Sequence, residues 1–337
     1  MLINLAFIKA TNGLFYFALD YIQALEATTS VILVRTPALA AAVQRRFPAV
    51  SVRVAGPWQA ARMVWAASRR GEMVFTPSSH PIPWCDRQMV VLHDSFPFDG
   101  AKGRVKATLF FLALRSSQAA AGYINISDAR AFLQCGGLPL ERLVSSPNWM
   151  APPAQAPLHG PLIVSERPVI GLFGTDSPKK NYDLLFAAVA AHVSPQAPSS
   201  RAAFRLYGQS NVYASRIMAA FPQLDIAITD ISTVDLDTFV RSVDFVAAAA
   251  TREGFGRPMA LALASGVPAW IVDAPVFREF YGQAATFHAD PAALGAAIAL
   301  LSPGIALPRP AFALPEAATR DFDQCIAWLT ARDTYRP

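Results

Sequence analysis

The sequence predicts an α/β fold of two Rossmann-like domains whose parallel sheets face each other across a cleft. Three observations carry that expectation. Short apolar runs bounded by turn residues alternate with longer helical patterns along the chain, the mark of parallel sheets covered on both faces. The segment Ser146 to Pro161 holds Pro147, Pro152, Pro153, Pro157 and Pro161, too many for a regular element, and marks a domain boundary. Beyond it the alternation begins again. A chain of 337 residues is long enough for two domains that each bury a core.

In the first domain, residues 1–150, the expected strands are Ile3 to Ile8, Ser30 to Val34, Ser51 to Val54, Met73 to Thr76, Met89 to His93 and Gly122 to Ile126, with helices between them. The second domain, residues 151–317, opens with strand Val169 to Phe173 and helix Tyr182 to Val193. Strands Phe204 to Tyr207, Asp225 to Thr229 and Asp244 to Ala248 follow. Then come a helix starting at Pro258, strand Ala269 to Val272, and helices at Val276 to Tyr281, Ala292 to Leu301 and Ala317 to Ala331. Open α/β sheets bind ligands at the carboxyl ends of their strands, so the cleft is the expected active site.

Composition narrows the partners. Charged residues are 16% of the chain and the mean hydropathy is +0.30, apolar for a soluble protein. No stretch approaches the roughly 18 to 20 apolar residues of a spanning helix, and the N-terminus lacks a basic region followed by a cleavable apolar core. A cytoplasmic protein is expected, at most attached to the inner face of a membrane. Cys85, Cys135 and Cys325 are scattered and without metal-ligand spacing, so they read as reduced thiols; neither a metal site nor a cofactor is expected. Residues 1–150 hold 15 Lys and Arg against 8 Asp and Glu, whereas the remainder holds 14 against 16. An anionic membrane or a phosphorylated acceptor would be drawn to the basic half, and plain solubility explains it equally. No motif or arginine-rich helix accompanies the charge, so nucleic acid is not an expected partner.

The most informative segment is Thr251-Arg-Glu-Gly-Phe-Gly-Arg-Pro-Met-Ala-Leu-Ala-Leu-Ala-Ser-Gly-Val-Pro-Ala-Trp-Ile-Val-Asp273. Gly254 and Gly256 permit close ligand approach, and Pro258 suits the first turn of a helix. Gly266 is placed to end that helix in a left-handed cap, and Ala269 to Val272 reads as a buried strand. A helix start attracts phosphate. The adjacent Glu253 repels phosphate and accepts from hydroxyls. A ligand carrying both phosphate and hydroxyls satisfies both.

This stretch resembles the donor-sugar motif of the retaining GT-B glycosyltransferases, family 4-like: Glu-Gly-Phe-Gly-x-Pro-x-x-Glu, a small-residue helix, Gly-x-Pro and a strand ending in Asp. Glu253, Gly254, Phe255, Gly256, Pro258, Ala262, Gly266, Pro268 and Asp273 stand where the pattern wants them. The second glutamate, which in the family holds the ribose hydroxyls, falls on Leu261. The resemblance implies a GT-B fold and a retaining, metal-independent transfer of a sugar from a nucleotide diphosphate-sugar donor to a glycan or lipid-linked acceptor, in cell-surface polysaccharide or glycolipid synthesis. It also implies that the final segment, 318–337, crosses back to the first domain.

Other segments take roles from the same resemblance. In Gly171-Leu-Phe-Gly-Thr-Asp-Ser-Pro-Lys-Lys-Asn-Tyr-Asp, a lysine beside a glycine turn can neutralise a diphosphate as a point charge. Lys180 matches the family lysine, Gly174 is the turn, and Thr175 replaces the family arginine. Lys179 reads either as compensation or as a solvated charge. Lys9, Asn12 and Gly13 fall where relatives place a glycine-rich loop, although Asn12 equally suits an ordinary helix cap. His93 and Asp94 resemble the His-Asp strand end on the acceptor side; His93 would contact the sugar, or it is a satisfied core histidine. Ser127 matches a family serine or caps a helix. Lys102, Arg104 and Lys106 precede Leu109-Phe-Phe-Leu-Ala-Leu, which reads as a membrane-surface helix or as a core helix with an exposed end.

Glu253, His93 and Lys180 are thus the candidate catalytic residues. Gly174, Thr175, Lys180, Glu253, Gly254, Phe255, Gly256 and Leu261 are the donor side, and Lys9, Asn12, Gly13 and Asp94 the acceptor side. Leu261 and Thr175 also fit a second reading, a non-catalytic GT-B paralogue that binds a sugar or protein. A sugar-nucleotide epimerase would need acid and base groups that the sequence does not identify.

Overall fold

The computed structural model describes residues 1–153, 155–175, 177–192, 202–314 and 316–331. The chain divides into two compact units. One comprises Met1–Met150 with the chain from Leu314 onward, and the other Ala151–Ala313.

The first unit runs β1 (Leu2–Leu5), α1 (Gly13–Leu25), β2 (Val31–Val34), α2 (Pro37–Arg46), β3 (Ser51–Val54), α3 (Pro57–Arg69), β4 (Val74–Thr76), β5 (Gln88–Leu92), α4 (Gly100–Arg115), β6 (Ala120–Tyr123), α5 (Ala131–Cys135) and β7 (Leu143–Ser145). All seven strands pair in parallel, in the order β3-β2-β1-β4-β5-β6-β7. The chain moves outward from β1 to β3, then back through β4 toward β7. Right-handed crossovers therefore put α1 and α2 on one face and α3 and α4 on the other. Beneath α3, Ala60, Val64 and Ala67 pack with Leu2, Leu33 and Val74. Beneath α4, Phe110 and Leu114 pack with Val90, Leu92 and Ala121. On the opposite face Tyr21 of α1 lies 5.2 Å from Phe75 and 4.9 Å from Phe322 of the final helix, Glu316–Thr330. That helix is held by Ser145, which donates to Asp321 at 2.7 Å, and by Trp149 stacked on Phe322 at 5.4 Å.

The second unit runs β8 (Leu162–Ile163), β9 (Val169–Phe173), α6 (Tyr182–Ala190), β10 (Ala203–Gly208), α7 (Val212–Ala220), β11 (Asp225–Asp230), α8 (Leu236–Arg241), β12 (Phe245–Ala248), α9 (Arg257–Ala264), β13 (Ala269–Val272), α10 (Pro275–Tyr281), β14 (Thr286–His288), α11 (Pro291–Ala299) and β15 (Ala306–Leu307). Six strands form a second parallel sheet, β11-β10-β9-β12-β13-β14, and β8 pairs antiparallel with β15. The strands carry near-continuous apolar runs because both faces are covered. Ile170, Leu172, Phe204, Leu206 and Phe245 are all buried beneath the helices.

Several sequence expectations shift. The first strand ends at Leu5 rather than Ile8, because the Asn4 carboxamide accepts from the Ala6 amide at 3.2 Å and turns the chain. The strand expected at Gly122 to Ile126 ends at Tyr123. Asn125, not Ser127, caps the following helical turn, accepting from the amides of Asp128 and Ala129 at 3.0 and 2.7 Å. Short strands β7, β14, β8 and β15 are additions, too brief to leave a periodic pattern. The helix expected to reach Val193 is helical to Ala190; Val193 itself and residues 332–337 of the expected C-terminal segment lie outside the described residues.

Candidate functional site

In the second sheet the strand order reverses between β9 and β12, which are direct neighbours. At such a switch point the loops leaving two adjacent strands diverge and leave room for a ligand. The loop after β9 carries Gly174, Thr175, Lys179 and Lys180. The loop after β12 carries Glu253, Gly254, Phe255 and Gly256.

The lysine loop is tightly held. Gly174 sits at φ +85°, a conformation that favours glycine, and its amide donates to the Tyr207 carbonyl at 2.9 Å. The Tyr182 hydroxyl lies 2.9 and 2.8 Å from the carbonyls of Phe173 and Gly174. Ser177 caps the 3-10 turn Pro178–Lys180. Asn181 follows at φ +53°, and its amide side chain donates to the Ala249 carbonyl at 3.0 Å, tying this loop to the one after β12. Thr175 is buried, and its hydroxyl donates to the Gln209 carbonyl at 2.6 Å. Where the related motif has an arginine, this chain thus has a side chain that fastens the end of β9 to that of β10.

The partner loop is shaped by Gly256 at φ +78° immediately before α9. The buried Tyr281 hydroxyl bridges the carbonyls of Phe255 and Gly256 at 2.5 and 3.2 Å, while the buried Phe255 ring lies edge-on to Phe280 at 4.7 Å. Gly254 is buried within the turn. The helix begins at Arg257, one residue before the expected Pro258, and Leu261 is half-buried in its middle. Gly266 ends the capped helix at φ +76°, where an added Cβ would lie 2.4 Å from the Leu158 carbonyl oxygen. Asp273 forms a two-pronged ion pair with Arg278 at 2.7 and 2.8 Å.

The two loops meet through charge. Lys180 Nζ lies 2.9 Å from Glu253 Oε2, and Lys179 Nζ lies 3.6 Å from Oε1. Burial alone would raise the Glu253 carboxyl, but the two ammonium groups outweigh it and hold the pKa below the ordinary glutamate value. One anion and two cations therefore stand beside a glycine turn and a helix start. This set can bind a ligand that has both hydroxyls and phosphate. Lys179, open to two readings in the sequence, belongs to the cluster.

The first unit holds the other expected residues. The exposed Asn12 caps α1, accepting from the Phe15 amide at 3.2 Å, and exposed Gly13 has nothing within 4 Å of an added Cβ. Lys9 is exposed just upstream. His93 follows β5 half-buried, with Nε2 3.2 Å from the Pro77 carbonyl oxygen and its ring edge-on to Phe17 at 4.6 Å; Asp94 beside it is also half-buried.

Residues 167–302 match the family described as Glycosyl transferases group 1. The chain carries a glycosyltransferase domain. Both loops of the charged cluster fall within it. Among solved structures, the chain is similar to Anabaena HepE in complex with UDP and glucose, with 15% identity over 88% of each chain and a TM-score of 0.66. It is similar to WaaG, a glycosyltransferase involved in lipopolysaccharide biosynthesis, with 12% identity over 98% of this chain and 100% of that one and a TM-score of 0.58. A third likeness is to the sucrose-phosphate synthase of Thermosynechococcus elongatus, with 12% identity over 88% of each chain and a TM-score of 0.58. At such identities the likeness shows the fold, GT-B, with two Rossmann-like domains. No curated protein sequence matches the chain.

Within the glycosyltransferase domain, sequence reasoning missed Tyr281 and Asn181. An asparagine between a Pro-Lys-Lys turn and an apolar helix signals a left-handed residue, so Asn181 was within reach. Tyr281 acts on carbonyls far back in the chain, and no local pattern announces it.

Proposed function

We propose that this glycosyltransferase moves a sugar from a nucleotide diphosphate-sugar to a hydroxyl of a glycan or lipid-linked acceptor, with retention at the transferred carbon and without a metal ion. The observation that carries the reading is the Lys180–Glu253 pair at 2.9 Å beside the Gly256 turn and the start of α9. Lys180, with Lys179, would stabilise charge developing on the departing diphosphate, which is electrostatic assistance aimed at the leaving group. Backbone amides around Gly174 and Gly256 would join them. Glu253, kept ionised by its neighbours, would accept from sugar hydroxyls and fix the orientation of the ring. When donor binds, the lysines would exchange part of the carboxylate contact for phosphate while the carboxylate takes up hydroxyls.

His93 is assigned to the transferred sugar, with Lys9, Asn12, Gly13 and Asp94 on the acceptor side. The HepE complex with UDP and glucose supports a nucleotide-sugar as the donor class. Same-face attack, with the donor phosphate taking the acceptor proton, is the mechanism of the family this chain resembles.

A second reading rests on Leu261 and on Thr175, whose hydroxyl is held by the Gln209 carbonyl. In that reading the chain binds a sugar or a protein without turnover. Titration calorimetry with a panel of nucleoside diphosphates and their sugars separates the two. Binding of one donor with product formation, and a proton spectrum showing the anomeric configuration of the donor retained, is the expected result. Absence of binding to every member of the panel sinks the enzymatic reading.

A further inference from the structure

The helical layer formed by α3 and α4 on the first sheet has an outer surface that the proposed transfer chemistry does not use. On α3, Trp58, Arg62, Trp65 and Arg69 recur at helical spacing on one face, opposite the buried Ala60, Val64 and Ala67. Trp58 is 88% exposed, and the Arg69 guanidinium lies 4.1 Å from the centre of the Trp65 ring. On α4, Val105, Leu109 and Leu112 form a second outward stripe, 61%, 61% and 55% exposed, while Phe110 and Leu114 face the core. Helical geometry sets Lys102 and Lys106 along one side of that stripe and Arg104 and Arg115 along the other. All four are exposed.

The loop between β4 and β5 joins the two helices and adds a third aromatic. The Trp84 amide donates to Ser116 at the end of α4 at 3.3 Å, and the Arg87 amide to Ser68 at the end of α3 at 3.2 Å. Trp84 itself is 72% exposed. The layer therefore displays three of the chain's six tryptophans. Residues 57–118 carry 8 Lys and Arg against 4 Asp and Glu.

We infer that this α3–α4 face docks on an anionic lipid bilayer. Tryptophan belongs at the membrane interface, where its ring is apolar and its N–H stays wet. An apolar stripe with cations on both flanks lies in the interface plane, the stripe toward acyl chains and the ammonium and guanidinium groups at the phosphates. A protein partner would need a matching acidic and apolar surface. A bilayer supplies both along its whole extent, and the excess of cations matches its charge.

The test uses the full chain and vesicles, with no donor or acceptor, so its outcome is independent of the proposed transferase activity. The chain is expected to co-sediment with vesicles that are one third phosphatidylglycerol and not with pure phosphatidylcholine, more weakly as salt rises. Each cation near an anionic surface is worth about a fivefold gain in partitioning, so Lys102→Ser/Arg104→Ser/Lys106→Ser should lose about a hundredfold. Leu109→Ser/Leu112→Ser and Trp58→Ala are expected to reduce binding while circular dichroism and melting temperature stay unchanged, since all three side chains are more than half exposed. The inference is overturned if the chain ignores anionic vesicles, or if the variants bind them as well as the parent does. Binding to an acidic polysaccharide in place of vesicles, or self-association abolished by Leu109→Ser/Leu112→Ser in the absence of lipid, would equally overturn it.

Discussion

The two parallel sheets reverse their strand order in the same way, yet the loops at their switch points are organised by different forces. In the first unit the loops after β1, β4 and β5 are arranged by a helix cap at Asn12, a histidine beside the Pro77 carbonyl and aromatic contacts with Phe17. In the second, two loops are drawn together by Lys179, Lys180 and Glu253 and braced by Tyr281 and Asn181. Topology sets where a ligand can sit. The residues placed there decide whether the place is a charged grip or a quiet wall.

The contrast can be broken most sharply at Glu253. Glu253→Gln keeps the shape and removes the charge, and if the proposed role holds, turnover falls by about a hundredfold to a thousandfold, the usual cost of losing one preorganised electrostatic contact. Steady-state kinetics on correctly folded variant measures it. Near-normal kcat would end the assignment. His93→Asn in the first unit should cost about tenfold, in the range of a single neutral hydrogen bond.

Bracing comes next in size. Tyr281→Phe leaves the Phe255 and Gly256 carbonyls without their hydroxyl, and unfolding in urea should show a loss of about 1–3 kcal/mol. Asn12→Ala in the first unit removes one cap and should cost about 1 kcal/mol. The smallest effect is one of pH. The Glu253 pKa is lowered on folding, so its pairing contributes stability that is complete above the ordinary glutamate value of about 4.3 and is lost as pH falls through the lowered value. The difference in melting temperature between the parent and Glu253→Gln should be flat at neutral pH and narrow in acid. A gap that widens on acidification would reverse the assigned sign.

Much of the second unit was legible because its signals are local. The Gly254-Phe-Gly turn, Pro258 and Gly266 bracket one helix within a few residues, and a lysine after a glycine turn announces a cation at a strand end. Contacts at long range left no such trace. Thr175 reads in sequence only as a missing arginine, and its bond to the Gln209 carbonyl depends on how β9 and β10 pair. Strands of two or three residues, such as β8 and β14, are shorter than any alternation that periodicity can register. The outward stripe on α4 was ambiguous for a related reason: residues 102–114 are apolar on two sides, and only packing reveals which side the sheet takes.

The chain joins and leaves the second unit at one place. Leu162 and Ile163 pair with Leu307 and Ala306, and the end of α9 is clasped from both directions, by the Leu158 amide on the Ser265 carbonyl and by Arg309 on that of Gly266. A module whose two ends are stitched side by side can be cut out, transplanted or re-threaded without being pulled open. The second unit is accordingly built as a cassette. A circular permutant that links its paired ends and opens at an exposed turn should fold with its charged loops unchanged.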